Sequence, residues 1–217
     1  MAGNRERDHR NDFTIPPKVT PRTAGQALAA PGYMWDLATT PPITAANFAH
    51  MKIDGGLIQF VNAQFSRRVT WDDARWLRET WGGKIAIKGL STPDDARRAI
   101  SIGADVVWVS NHGGRQLDTA PASIDTLPAI ADAVQGDAQI VLDGGVRRGT
   151  DIVKALALGA NAVAIGRAYL WGLAAAGERG VTRALTLLEE ELKRDMMLLG
   201  RTRIDQLTRD LLFQRRF

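Results

Sequence analysis

The sequence contains no cysteine, which excludes disulfides, iron–sulfur clusters and thiol chemistry. Its three histidines, His9, His50 and His112, are too far apart in sequence to show the ligand spacing of a metal site. No apolar run approaches the roughly 20 residues that a membrane-spanning helix needs, and the N-terminus lacks the apolar core of a signal peptide. We therefore expect a cytoplasmic protein without bound metal. If it contacts a membrane, we expect it to bind peripherally, at the inner face.

A nucleic-acid-binding function is also not expected. The net charge is +4, and many of the basic residues lie near the two ends of the chain. Such ends can contact nucleic acid or an anionic membrane, but no recognition motif accompanies them. Apolar residues make up 45% of the chain and charged residues 24%, which indicates a folded globular protein rather than a disordered one.

An apolar run at residues 106–109 ends abruptly in the polar loop Ser110-Asn111-His112-Gly113-Gly114-Arg115. This pattern is typical of a buried parallel strand that delivers side chains to the carboxyl edge of a sheet. A histidine such as His112 can act as a base, and Arg115 can bind a carboxylate or a phosphate. The alternative is that both are ordinary solvated loop residues.

Strands and helices alternate regularly through the second part of the chain. Thr70 caps a helix that Gly82-Gly83 ends, and the last helix is long and amphipathic, over residues 181–199. Such alternation predicts an α/β fold with a parallel sheet, and the absence of an early Gly-x-Gly-x-x-Gly loop favours a (β/α)8 barrel. We expect strands at 84–89, 106–109, 139–145 and 161–167, separated by helices near 91–103, 121–134 and 149–158.

The first part of the chain has a different character. Proline pairs and glycines over residues 15–69 predict a long connecting segment with short helices, of the kind that forms a lid or binding loop. We therefore divide the chain into a charged N-terminal segment with a long loop or lid, 1–69, and a barrel part, 70–217.

Glycine loops follow the third and fourth predicted strands. Residues 143–151 and Gly166-Arg167 each connect a strand to a helix, where backbone N–H groups can bind an anion. Arg147 and Arg167 can add charge-assisted hydrogen bonds. Two such loops in succession indicate a phosphorylated cofactor or substrate, although the glycines could serve only the tight turns.

The run from Ser110 to Gln116 resembles the active-site signature of the FMN-dependent α-hydroxy acid dehydrogenases and oxidases, which oxidise lactate, glycolate and mandelate. The resemblance implies a (β/α)8 barrel and FMN as cofactor. It makes His112 the general base and Arg115 a ligand of the substrate carboxylate. Residues 3–11 resemble the family segment that follows the fourth strand, which implies a second substrate arginine at Arg5; a basic tail is the alternative. The implied FMN-binding residues are Lys88, Ser110, Asp143, Gly144, Gly145, Val146, Arg147, Gly166 and Arg167.

The implied reaction oxidises an L-2-hydroxy acid to the 2-oxo acid. A lactate-like substrate is favoured because residues 65–71 and 88–90 resemble lactate enzymes most; glycolate and mandelate stay open. Whether the electrons leave as hydride or through a carbanion also stays open. The electron acceptor is oxygen, a quinone or a cytochrome.

The resemblance covers only the C-terminal half of the family. We find four convincing strands where a closed barrel has eight, and the family's aspartate that orients the histidine corresponds to a position before Met1. Such a half-barrel has two open edges, so we expect a homo-oligomer or a missing N-terminal half, and little activity of the chain alone. The alternatives are a non-catalytic half-barrel that binds FMN or phosphate, or serves for association, and another phosphate-binding barrel such as an isomerase or nucleotide dehydrogenase.

Overall fold

The computed structural model of the chain describes residues 10–11, 18–41, 60, 63, 66 and 68–213. Contacts divide the chain into two units, Met1–Arg68 and Val69–Phe217. The described part of the first unit includes the short helices α1 (Pro21–Leu28) and α2 (Pro31–Thr39), in the segment where short helices are predicted. Each begins with a proline, whose fixed φ suits the first turn of a helix. Neither helix has a buried residue.

The second unit is an α/β structure built on one four-stranded parallel sheet. The strands lie in chain order, so each strand pairs with its successor. This confirms the four predicted βα units. The strands are β1 (Ala86–Leu90), β2 (Val106–Val109), β3 (Gln139–Asp143) and β4 (Ala162–Ala164), and the helices are α3 (Trp71–Trp81), α4 (Pro93–Ser101), α5 (Ser123–Val134), α6 (Gly149–Ala157) and α7 (Arg167–Leu198).

Local caps place the first helices of this unit where the sequence predicts them. Thr70 and Asp73 form a reciprocal capping box at the start of α3, and Gly82 ends the helix at a φ of +66°. The hydrogen bonds from the Thr70 backbone and hydroxyl hold the pKa of the Asp73 carboxyl below its usual range. Thr92 caps α4 by accepting the Asp95 N–H, and Pro93 occupies the first turn.

One face of the sheet carries the core. Val107, Val109, Ile140 and Leu142 alternate along β2 and β3 and are at most 4% exposed. They belong to the same apolar cluster as buried side chains of the flanking helices. Among these are Leu127, Ile130 and Val134 of α5, Ala96 and Ala99 of α4, and Ala155 of α6.

The opposite face of the sheet is open. Ala86 and Lys88 are exposed on β1, and Trp108, Val141 and Asp143 are only half-buried on β2 and β3. The sequence predicts strands that are covered on both faces, so this face differs from the expectation. A closed barrel buries the equivalent face in its interior, which requires strands from around the whole circle. Within residues 68–213, no further strand pairs with the outer edge of β1 or of β4.

The end of the barrel part departs from the prediction. β4 ends at Ala164 rather than at 167, and α7 begins at Arg167 rather than near 181. The chain folds back sharply at Ala176 and Gly177, and a side chain at Gly172 would overlap the backbone of Gly180. From the sequence, these glycines suggest the ends of helices. In the structure they allow two helical segments to contact each other. No helix in the described part of the chain is long and apolar enough to cross a membrane.

Candidate active site

The carboxyl ends of three strands bring three of the predicted site residues together. Lys88 Nζ lies 2.8 Å from Ser110 Oγ and 2.8 Å from Asp143 Oδ2. Ser110 Oγ donates a hydrogen bond of 2.6 Å to Asp143 Oδ1. Because parallel strands end at the same edge, residues 22 and 33 positions apart from Ser110 in the chain meet here.

Ser110 connects this group to the His112 loop. Its side chain is buried, and its Oγ accepts the His112 backbone N–H at 3.1 Å. A hydroxyl has one proton to donate and two lone pairs, and here Asp143, Lys88 and His112 use all three. The resemblance implies that Ser110 contacts the cofactor, and in the structure its hydroxyl joins the Lys88–Asp143 pair to the loop.

The turn that carries His112 is held by Asn111. The Asn111 side chain accepts the Gly113 N–H at 2.9 Å and donates to the Pro121 carbonyl at 3.1 Å. His112 itself has a φ of +54°, in the left-handed region that few non-glycine residues adopt. The loop geometry is therefore fixed by side-chain hydrogen bonds on both sides of the histidine.

The His112 imidazole is exposed, and no carboxylate of the described residues hydrogen-bonds to it. Arg115 is exposed three residues further on. Arg5, the second predicted substrate arginine, lies outside the described residues.

Trp108 belongs to the same group, although the sequence analysis did not select it. Its indole Nε1 donates to Asp143 Oδ2 at 3.1 Å, and Lys88 Nζ lies 5.4 Å from the centre of its ring. Such a distance permits a cation–π interaction. The available signal was a single tryptophan in an otherwise valine-rich strand.

In the loop after β3, where the sequence predicts a bound anion, acidic side chains from α6 and α7 accept the backbone N–H groups. Gly144 and Gly145 have φ of +100° and +83°, and Val146 is buried in the core. The backbone N–H groups of Arg147 and Arg148 both donate to the Asp151 carboxylate, at 2.9 and 3.0 Å. The Gly149 N–H donates to Glu191 Oε2 at 2.8 Å. These three backbone N–H groups therefore already donate to carboxylates of the chain.

The loop after β4 is different. No side chain caps α7 at Gly166, and the first turn of the helix contains no acidic residue. The positive end of the α7 dipole is therefore not neutralised by an acidic side chain of this turn. Arg167 is the first residue of the helix. The exposed guanidinium groups of Arg147 and Arg167 make no ion pair with a described residue. Among the described residues, no cluster of histidine and acidic side chains could hold a metal ion.

Comparison with known proteins identifies the family. The profile described as FMN-dependent dehydrogenase matches residues 1–214. The chain belongs to this family. L-lactate oxidase from Nostoc sp. is 45% identical to it over 200 residues, which are 92% of this chain and 50% of that protein. A putative L-lactate dehydrogenase from Mycobacterium tuberculosis is 43% identical over 208 residues, or 96% of this chain and 50% of that one.

Solved structures of a mandelate dehydrogenase and of mandelate oxidases agree with the fold. (S)-Mandelate dehydrogenase, described as a monotopic membrane protein, superimposes with a TM-score of 0.89 and 39% identity over 97% of this chain and 56% of that one. A mandelate oxidase variant with an FMN adduct gives 0.63 and 44%, over 65% of this chain and 45% of that one. The chain thus spans about half the length of the curated relatives it matches. These matches confirm the resemblance and the (β/α)8-barrel family.

Proposed function

We propose that this chain supplies the general base, a substrate-binding arginine and the phosphate-binding loops of a site that oxidises a short L-2-hydroxy acid with FMN. The convergence of Lys88, Ser110, Asp143 and the His112 loop at one edge of the sheet carries this proposal. A general base and a fixed cation within one hydrogen-bonded group are what an α-hydroxy acid oxidation requires.

The described residues fit FMN. The uncapped N-terminus of α7, with Arg167, suits the phosphate, and Arg147 lies in the loop that follows the neighbouring strand β3. Gly145 and Gly166 present open space where a side chain would otherwise stand. Asp143, Gly144 and Val146 belong to the same loop as Gly145. The Ser110 hydroxyl holds the Lys88 ammonium in place. Bound FMN supplies the acceptor for two electrons, and the ammonium of Lys88 favours negative charge beside it.

The roles of the remaining side chains follow from their chemistry. The guanidinium of Arg115 binds the substrate carboxylate, together with Arg5, and so orients the C2 carbon. The His112 imidazole accepts a proton from the substrate as C2 is oxidised. Overall, the 2-hydroxy acid loses two protons and two electrons and becomes the 2-oxo acid. The relatives named for L-lactate favour a lactate-like substrate.

The second candidate is a non-catalytic half-barrel that binds FMN or phosphate. Two observations favour it: the His112 imidazole has no orienting carboxylate among the described residues, and one face of the sheet is open. In a complete site an N-terminal half-barrel supplies the carboxylate and closes the sheet, or a second copy of the chain covers the open face. Electrons then pass to oxygen, a quinone or a cytochrome.

The absorbance spectrum of the purified chain, titrated with FMN and then with L-lactate without oxygen, separates the two candidates. Bound flavin that bleaches with L-lactate, but not with D-lactate, supports the oxidoreductase. The H112Q variant should then keep the flavin and lose the bleaching, whereas R167Q should weaken flavin binding. Flavin that binds and never bleaches supports the binding module. Failure to bind flavin contradicts the oxidoreductase and the FMN-binding form of the second candidate. Elution volume and mass show whether the chain self-associates.

We also propose that the protein is cytoplasmic and contacts the inner face of a membrane through α2. Tyr33, Trp35 and Leu37 are more than half exposed on this helix, and Leu28 of α1 is 84% exposed. Aromatic and aliphatic side chains on a short helix suit the lipid interface. The solved (S)-mandelate dehydrogenase is described as monotopic.

Co-sedimentation with anionic phospholipid vesicles tests this contact. W35S should reduce the bound fraction, because the indole contributes the largest apolar surface of the helix. Trp76 on α3 is 63% exposed and is the matched control, so W76S should bind as the unsubstituted chain does. Equal loss in both variants, or no binding at all, would contradict the proposal.

A further inference from the structure

We propose that Gly89 is a positioning residue for the His112 imidazole. Gly89 lies in β1 where the pairing with β2 shifts by one residue, because Lys88 pairs with Trp108 and Leu90 pairs with the next residue, Val109. Its φ is +98°, in the left-handed region that glycine adopts without strain. Gly89 is therefore the extra residue of a β-bulge.

The bulge sends its two neighbours to opposite faces of the sheet. Residues two apart in a regular strand share a face, but Lys88 points to the open face while Leu90 is buried in the core. Without the extra residue, either the Lys88 ammonium or the Leu90 side chain would lie on the wrong face. The bulge thus places Lys88 beside Ser110 and Asp143 while keeping the core filled.

The same glycine leaves the space that the imidazole occupies. A Cβ built on Gly89 would lie 2.8 Å from His112 Cε1, 3.6 Å from Nδ1 and 3.8 Å from Nε2. Since nonbonded carbon atoms prefer about 3.5–4.0 Å, the ring could not stay where it is. The imidazole is the flexible partner, because the His112 N–H is held by Ser110 while the ring is exposed. A side chain at position 89 therefore displaces the ring and leaves the loop in place.

The catalytic consequence rests on the proposed function, but the contact itself does not. If His112 is the base, its ring must stand at a defined distance from the substrate, and a misplacement of about 1 Å costs on the order of 100-fold in rate. Gly89 itself takes no part in the proton transfer and affects that step through the position of the His112 ring.

The test uses proton–carbon NMR of the histidine rings in the full chain. H112A identifies the His112 signal among the three histidines. In the unsubstituted chain we expect a nuclear Overhauser contact between the His112 Cε1 proton and a Gly89 Hα. Its absence would overturn the proposal.

G89A should then shift the Cε1–H resonance of His112. Gly136 is the matched control, because its φ is +92° and a Cβ there would meet nothing within 4 Å. G136A therefore introduces the same backbone strain without the contact, and the His112 signal should stay in place. An unmoved signal in G89A, or an equal shift in both variants, would overturn the proposal.

If G89A does not fold, the double variant G89A/H112A decides the matter. With alanine at 112 the new methyl group has space, so the double variant should recover folding and equal failure would overturn the proposal. The NMR result is also independent of catalysis. A chain that keeps the contact and never oxidises L-lactate contradicts the proposed function alone.

Discussion

Lys88 and Asp143 lie on β1 and β3, with β2 between them, and their side chains meet with Nζ 2.8 Å from Oδ2. The Asp143 carboxylate is 19% exposed and also accepts hydrogen bonds from Ser110 and Trp108. A single acidic group therefore fixes one side chain on β1 and two that come from β2. Asp143 is therefore the one acceptor that these three donors share.

Substitution of Asp143 by alanine should lower the free energy of unfolding by about 1–3 kcal/mol, because Lys88, Trp108 and the buried Ser110 hydroxyl lose their common partner. Urea denaturation measures the loss. Asp72 is the matched control, since it is 86% exposed and pairs only with Arg75 one turn away. D72A should cost less than about 1 kcal/mol, and a D143A loss no larger than this would contradict the role given to Asp143.

Substitution of Ser110 by alanine should loosen the His112 loop more than the sheet. The Lys88–Asp143 pair survives, but the His112 N–H loses its acceptor. Hydrogen exchange at the His112 amide should accelerate while the amides of β2 stay protected. S101A serves as the control, because the Ser101 hydroxyl bonds only within its own helix. Unchanged exchange at His112 in S110A would show that the loop does not depend on the hydroxyl.

Much of the second unit could be predicted because its signals are local. Thr70, Gly82 and Pro93 mark helix ends through their own backbone chemistry, and the structure places them there. The meeting of Lys88, Ser110 and Asp143 was also predictable, because the ends of parallel strands share one edge. The strand pattern and the family motif therefore pointed to the same place.

The remaining features depend on contacts between distant residues. Glu191 occupies the Gly149 N–H from 42 positions away, and no local pattern indicates that an acidic side chain closes this loop. The bulge at Gly89 is a shift of one residue, which a short apolar strand does not reveal. The fold-back at Gly177 was missed because glycine suggests the end of a helix, not a turn between two helices in contact.

Substitution of Gly149 by alanine should destabilise the chain by about 1–3 kcal/mol, because the new methyl group would overlap the backbone of Glu191 and Leu192. Helices α6 and α7 must then separate. Thermal unfolding measures the effect. Gly166 has a negative φ and open space around it, so G166A is the control for stability and should change it by less than about 0.5 kcal/mol. Equal melting temperatures for the two variants would contradict the close approach of the helices.

Asp105 should make stability depend on pH in the acid range. Its carboxylate accepts hydrogen bonds from Lys84 Nζ at 2.6 Å and the Ile85 N–H at 3.0 Å, and Arg78 lies 3.3 Å away. The Lys84 hydrogen bond, followed by the Ile85 N–H, holds the pKa of this carboxyl below its usual 3.8. Because the folded-state pKa is depressed, the stabilisation is complete above the unfolded-state pKa and is lost as the pH falls through the folded-state value.

D105N should therefore be less stable than the unsubstituted chain near neutral pH, and the difference should shrink below a pH of about 4. Urea denaturation across this range measures it, with D94N as an exposed control that pairs only with Arg97. A difference that stays constant with pH would show that the Asp105 charge does not stabilise the fold.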